Sequence, residues 1–468
     1  MSTTRALADF VARTEFDQLP PFVVMETKRL LLDTIGCAIG GVHTEKGRLA
    51  IKLAETLGGP PEASLFGTNQ KVSAASSAYA TGELMNALDY EALLSPPEHA
   101  TPYVLAAPLA VGEMKGISGK ECILATALAH ELATRFGSSL LFGKRFNVEL
   151  PERGIALSIP TAGFGHCVFA GTAAAARVWG LGTDEIAHAM GIAGYQAPVP
   201  MVPKFCSTVP TFTSKYLSAG FLSLVEVLAV TSAAMGCKGD TEILDGPCGF
   251  WHAFGCEGWK PENITENLGR TWHFPGRIFY KVFPCCGAMQ NALSHFHHIL
   301  MEHNLQPEEI VEVKVKLGLL VELPAWKRNR VENHTDAQFN VPFLFSTLAH
   351  RVLIGPSWQT PETLRDKDIL EFMKKVKVLT ELDEEAHGNP DVEVVVESGK
   401  SRRSYTKRGF ASGFPMDEAA LIEKFMRNTR LMLNEEETKE AVASILALEE
   451  LEDISKIFSL FRKRIIVD

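Results

Sequence analysis

Val311–Leu317 reads VEVKVKL, with an apolar residue at every second position and a charged residue between. Side chains of a strand point alternately to its two faces, so this spacing predicts a half-buried strand. Val376–Leu379 and Asp391–Glu397 (DVEVVVE) read the same way. The second runs through Ser398-Gly399 toward Ser401–Lys407, which predicts a hairpin. Two helical patterns, Gly287–Glu302 and Val341–Leu353, lie among these strands. Strands and helices grouped in this way, without strict alternation, indicate an α+β module with one small sheet.

Upstream of about Gly269 the period changes. Thr27–Ile39 (TKRLLLDTIGCAI) is a periodic apolar helix stopped by Gly40-Gly41, and Glu121–Phe136 is another, closed by Gly137. Gly165–Trp179 is rich in Ala and Gly, as a buried helix with close neighbours would be, and Lys215–Met235 continues the style. Residues 6 to 265 are therefore expected to contain essentially no sheet. After Pro415 the helical period returns. The fold class expected is mainly α: a large all-helical domain (1–269), interrupted by a smaller α+β lid domain (270–410), with C-terminal helices (411–468) returning to the first.

The 468 residues are 46 % apolar and 22 % charged, the balance of a water-facing globular chain. A net charge of −10 without a long basic tract argues against nucleic acid. No apolar run reaches bilayer-spanning length, and the acidic residues of MSTTRALADFVARTEF do not suit a signal peptide. Nine cysteines with no CxxC spacing point to a reducing, cytoplasmic setting. Dinucleotide, phosphate-loop, zinc-protease and serine-hydrolase motifs are absent.

Candidate chemistry gathers in Thr81–Pro102 (TGELMNALDYEALLSPPEHATP). Asp89 ends an apolar helical stripe, Pro96-Pro97 forbids further helix, and His99 precedes Thr101-Pro102, which reads as an N-cap with Pro at the first helical position. A carboxylate and an imidazole at converging helix ends suit proton transfer; capping of backbone amides by the same residues is the plainer alternative. Lys281, Cys285 and Cys286 lie in YKVFPCCGAMQNAL. If Pro284 opens the helix, Cys286 sits in its first turn, where the dipole lowers a thiol pKa; filling a tight turn is the other reading. His295 and His298 share a helical face that the apolar stripe leaves toward solvent, so a surface helix is expected there and no metal site.

Taken in order, LLLDTIGCAIGG, NALDY…H, HELATRFG, PTAGFG, KVFPCCGAMQNAL and DAQFNVPF resemble the MmgE/PrpD family, which includes 2-methylcitrate dehydratase, cis-aconitate decarboxylase and iminodisuccinate epimerase. The likeness covers nearly the whole chain. It implies a helical domain with an α+β lid, a homodimer, no metal and no organic cofactor. It also implies an active site containing Asp89, His99 and Lys281, with Cys286 where decarboxylase-like members have a catalytic histidine. Leu93, Ile159 and Phe343 stand where many relatives have Thr, His and Tyr. A family lysine falls by spacing on Val209, with Lys204 and Lys215 as neighbouring substitutes for binding substrate carboxylates. The expectation is a cofactor-independent lyase, hydro-lyase or decarboxylase, moving a proton beside a carboxylate of a small di- or tricarboxylate. The alternatives are an epimerase of an amino- or imino-dicarboxylate and a non-catalytic carboxylate-binding relative. His99 is the expected acid or base, oriented by Asp89.

Overall fold

A computed structural model describes residues 2–96, 99–141, 145–150, 155–160, 164–198, 201–380, 390–398, 401–409 and 416–463. Its helices of nine residues or more are α1 (Thr3–Arg13), α2 (Pro21–Gly41), α3 (Glu45–Leu57), α4 (Ala74–Asn86), α5 (Ala106–Lys115), α6 (Gly119–Ser139), α7 (Cys167–Trp179), α8 (Thr183–Gly194) and α9 (Ala219–Ala234), followed by α10 (Gln290–Glu302), α11 (Val341–Ala349), α12 (Glu418–Thr429) and α13 (Glu435–Leu446). The strands of five residues or more are β1 (Arg145–Leu150), β2 (Ile155–Pro160), β3 (Ile310–Leu317), β4 (Val376–Thr380), β5 (Asp391–Ser398) and β6 (Ser401–Arg408).

The helical part is built on α2 and α7. α2 is apolar on nearly every side after Thr27, because it is covered by α4, α6, α12 and α13. At Gly36 a Cβ would lie 2.9 Å from the Phe425 ring, so the missing side chain is what lets α12 close onto α2. α7 is wrapped by α5, α6, α8 and α9, and its alanines and glycine give room for that crowding. No helix among the described residues is long and apolar enough to cross a membrane.

In the second region β4-β3-β5-β6 form one mixed sheet. β3 pairs parallel with β4 (Val313↔Val376, Val315↔Val378) and antiparallel with β5 (Val315↔Val392, Val313↔Val394). β5 and β6 form the expected hairpin. Val313, Val315, Leu317, Val392 and Val394 are buried. α10 lies against β5 and β6, and α11 against β4.

Several sequence expectations need correction. β1 and β2 pair antiparallel from Arg145↔Pro160 to Leu150↔Ile155, so the first half is not free of sheet. RFNVEL and IALSIP each alternate apolar residues over six positions, a period-2 signal too short to stand out between long helices. Thr101 is not an N-cap: the turn Thr101–Val104 is only four residues long, its cap is Ala100, and the Thr101 hydroxyl lies 3.3 Å from His130 Nε2. His295 is buried rather than solvent-facing, and its Nε2–H donates to the Gly409 carbonyl at 2.8 Å. Pro97 and Glu98 lie outside the described residues.

Candidate active site

The loop after α4 carries the chemistry. α4 ends at Asn86, and Asp89 then turns the chain with φ of +54°, a left-handed conformation that Asp tolerates better than most residues. The turn sends the Asp89 side chain inward, where it is wholly buried. Lys215 Nζ lies 2.6 Å from Asp89 Oδ1, and Lys281 Nζ lies 3.1 Å from Oδ2. Lys215 is itself left-handed (φ +57°), because α9 starts at Ala219 and not at Lys215 as its apolar pattern suggests. A lysine has no local compensation for that backbone, so the ion pair has to hold it there.

Each ammonium also donates to a carbonyl: Lys215 to Asn86 at 3.2 Å, Lys281 to Asp89 at 2.8 Å. With three N–H donors per lysine, each retains one. Burial works against ionising Asp89, but the charges of Lys215 and Lys281 prevail and hold its carboxyl far below the usual range. For Lys281, burial is outweighed by Asp89 and Glu91, which keep it charged. Burial lowers the pKa of Lys215 against the pull of Asp89 and Glu91; with both lysines charged, the three side chains carry one surplus positive charge.

His99 is held by Glu91 rather than by Asp89, contrary to the orientation expected from sequence. Its Nδ1 lies 2.9 Å from Glu91 Oε1, which also accepts from Asn86 Nδ2 at 2.8 Å. Glu91 is fully buried; despite that burial, the His99 hydrogen bond and Lys281 draw its pKa down to about 2. An ionised carboxylate at Nδ1 puts the proton there and leaves Nε2 as the lone-pair nitrogen in the neutral ring. His99 itself is half-buried and packs against Phe164 and Tyr216, with ring centroids 5.6 Å away in both cases. The signal for Glu91 was present: it stands two residues after Asp89 in the same polar interruption of an apolar segment.

The other expected residues fall elsewhere or differ in character. Lys204 is exposed on the short helix Val202–Cys206 and makes no ion pair with these carboxylates; Lys215 does. Cys286 precedes a 3-10 turn, Gly287–Met289, and α10 begins only at Gln290, so the thiol is not in a helical first turn. Burial, then the Asp89 charge, push it up to about 11, against Lys281 pulling down; it is not the activated thiol expected. Leu93 is buried in a two-residue strand with Leu94 that pairs with Ile278–Phe279. Phe343 packs with Ala337, Ile369 and Met373. Ile159 lies in β2, opposite Phe146, and its side chain is outside the described residues; Val209 is exposed.

Asp89, Glu91 and His99 each bring a potential metal-ligand atom within 4.8 Å of the others. Both Asp89 oxygens already carry an ammonium, however, and a metal cation would be repelled by two buried lysines and would strip them of their counter-charge. The donor set therefore fits a metal poorly.

Residues 5–262 match the MmgE/PrpD N-terminal domain and residues 283–450 the MmgE/PrpD C-terminal domain. Among curated proteins the chain is 22 % identical over 488 residues to the cis-aconitate decarboxylase of Aspergillus terreus, covering 98 % of this chain and 95 % of that one. It is 22 % identical over 477 residues to the Homo sapiens cis-aconitate decarboxylase, with coverage of 98 % and 95 %. The Mus musculus protein of the same name is 21 % identical over 483 residues, with 98 % and 93 % covered.

Proposed function

The chain belongs to the MmgE/PrpD family, and from that premise we propose that it is a cofactor-independent lyase that decarboxylates a small di- or tricarboxylate. The observation that carries this reading is the buried Lys215–Asp89–Lys281 triad beside the Glu91–His99 pair. The triad's surplus positive charge and two unspent N–H donors suit one substrate carboxylate. The same charge stabilises the anion that builds as a second carboxylate leaves. In the step proposed, the carbon–carboxylate bond breaks and carbon dioxide departs. The electron pair runs into the adjoining unsaturated acid, and protonated His99 then returns a proton to carbon. Glu91 holds the ring by Nδ1, and the ring takes up a proton from water afterwards. Elimination of water would call for a base and a separate acid. The described cluster offers one imidazole, which makes decarboxylation the simpler chemistry. A homodimer is part of the proposal: α9 and the residue just past it leave Phe221, Leu228 and Met235 exposed in one row.

The test is a panel of unsaturated and hydroxylated di- and tricarboxylates followed by proton NMR in heavy water. One member should lose a carboxylate and gain a single deuteron. His99→Asn should abolish turnover with substrate binding kept, and Glu91→Gln should lower kcat roughly 10- to 100-fold, the weight of a general-acid contribution. Turnover by His99→Asn at the wild-type rate would refute the assignment of the proton to His99. Loss or gain of water without carbon dioxide would move the protein to the hydro-lyases.

A further inference from the structure

A second cavity, of about 340 Å³, lies where the two regions meet. It is lined by His43, Glu45 and Arg48 from the start of α3 and its approach, and by His334, Gln359 and Arg365 among others from the second region. Its size is at the low end of small-molecule pockets, which run to roughly 300–1,000 Å³. His334 is only 3 % exposed, and neither ring nitrogen has a hydrogen-bond partner; the nearest carboxylate oxygen, Glu45 Oε2, stands 3.7 Å from Nδ1. His43 Nε2 is likewise buried without a partner. Buried polar groups are rarely left so, and two in one cavity mark a place built for a polar guest. Arg48 and Arg365 are exposed at the same cavity and form no ion pair among the described residues; Arg48 donates one hydrogen bond to the His43 carbonyl. Glu332 is already engaged by Arg328 and Arg330, which leaves Glu45 at the cavity and Glu362 near Arg365 as opposing charges.

We infer that this cavity binds a small oxyanion, a carboxylate or phosphate, between Arg48 and Arg365 with the His334 and His43 imidazoles as neutral donors. None of its lining residues belongs to the Asp89 cluster, although the charges of Lys46 and Lys215 reach His334, and the inference does not rest on the proposed reaction. A guest here would join α3 to the 331–365 segment. It would also sit close to Lys46, whose ammonium bonds Glu83 at 3.0 Å and Asn86 at 3.2 Å, and Asn86 in turn holds Glu91. The ligand would thus lie beside the polar chain that ends at His99.

Equilibrium titration calorimetry with inorganic phosphate and, separately, citrate tests the inference on the full chain. Binding of either is expected, and which one binds more tightly decides between phosphate and carboxylate guests. Arg48→Glu and Arg365→Glu, both at exposed positions, should weaken it at least tenfold, and Glu45→Gln should tighten it. His334→Phe, which fills the cavity, should abolish it, whereas Lys281→Met, which removes an ammonium from the Asp89 site, should leave it unchanged. No binding of either anion, or binding that the Arg variants keep and Lys281→Met removes, would overturn the inference; the latter would place the anion in the Asp89 site.

Discussion

Asp89 is gripped by two buried ammonium groups, and its removal should show which forces hold the site. Replacing Asp89 by Asn takes from buried Lys215 and Lys281 the carboxylate they both bond and leaves Glu91 as their remaining counter-charge; breaking a buried pair in this way costs about 3–5 kcal/mol. Urea melts should show that loss, and Lys215→Met in the same chain should recover part of it; a wild-type midpoint for Asp89→Asn would mean that water reaches the lysines. The pH dependence follows with its sign. Asp89 and Glu91 both have folded pKa values below their unfolded values of about 3.9 and 4.3. Their contribution is complete above those values and is lost as pH falls through the folded ones, so they steepen acid unfolding below about pH 4. At this scale the sequence was half legible. Asp89 and His99 were found from a polar break in an apolar stripe. The partner of His99 was misjudged because a left-handed turn at Asp89, invisible to a helical count, swings that carboxylate toward the lysines and leaves Glu91 for the ring.

Among elements, the contact of α7 with α9 holds an unusual group. Glu226 on α9 is fully buried, neither carboxylate oxygen has a hydrogen-bond partner, and burial pushes its pKa well above the ordinary value. It fits only because Gly171 faces it: a Cβ there would fall 2.1 Å from Oε1. Gly171→Ala should therefore destabilise by roughly 1–3 kcal/mol. Glu226→Ala in the same chain should cancel much of that, a coupling a double-mutant cycle would read. For Glu226 the sign is opposite to that of Asp89. A raised carboxyl contributes fully below its unfolded pKa and loses that contribution as pH rises, so Glu226→Gln should gain melting temperature relative to wild type between pH 5 and pH 8. A pH-independent difference would count against a buried neutral acid. Long helices such as α2 and α6 were plain from periodicity, and so was the β5–β6 hairpin. β1–β2 and the late start of α9 were not: short alternation and a lysine at an apolar helix edge are decided by tertiary partners.

For the whole molecule, the exposed row Phe221, Leu228, Met235 sits at seven-residue spacing, hence on one face of α9 and just past its end. Light scattering should give a mass of about twice 51.2 kDa, and Leu228→Asp should shift it toward one chain; a monomer for the unaltered protein would remove the dimer from the proposal. The change of hydrophobic period near Gly269 announced the four-stranded sheet of β3 to β6, because burial on one face imposes a period wherever it occurs. It did not announce that Lys424 of α12 would pair with Asp33 of α2 at 2.6 Å and also bond the carbonyls of Tyr90 and Lys281. That closure sets a clock on the ribosome. Between the emergence of α2 and that of α12 lie some 380 residues, or roughly 20–75 s of translation. Throughout that interval the nascent chain carries a greasy helix face in which Asp33 lacks its ammonium partner. A stalled or prematurely stopped message would leave every product shorter than α12 in that condition, a ready client for chaperones and proteases rather than a smaller working enzyme.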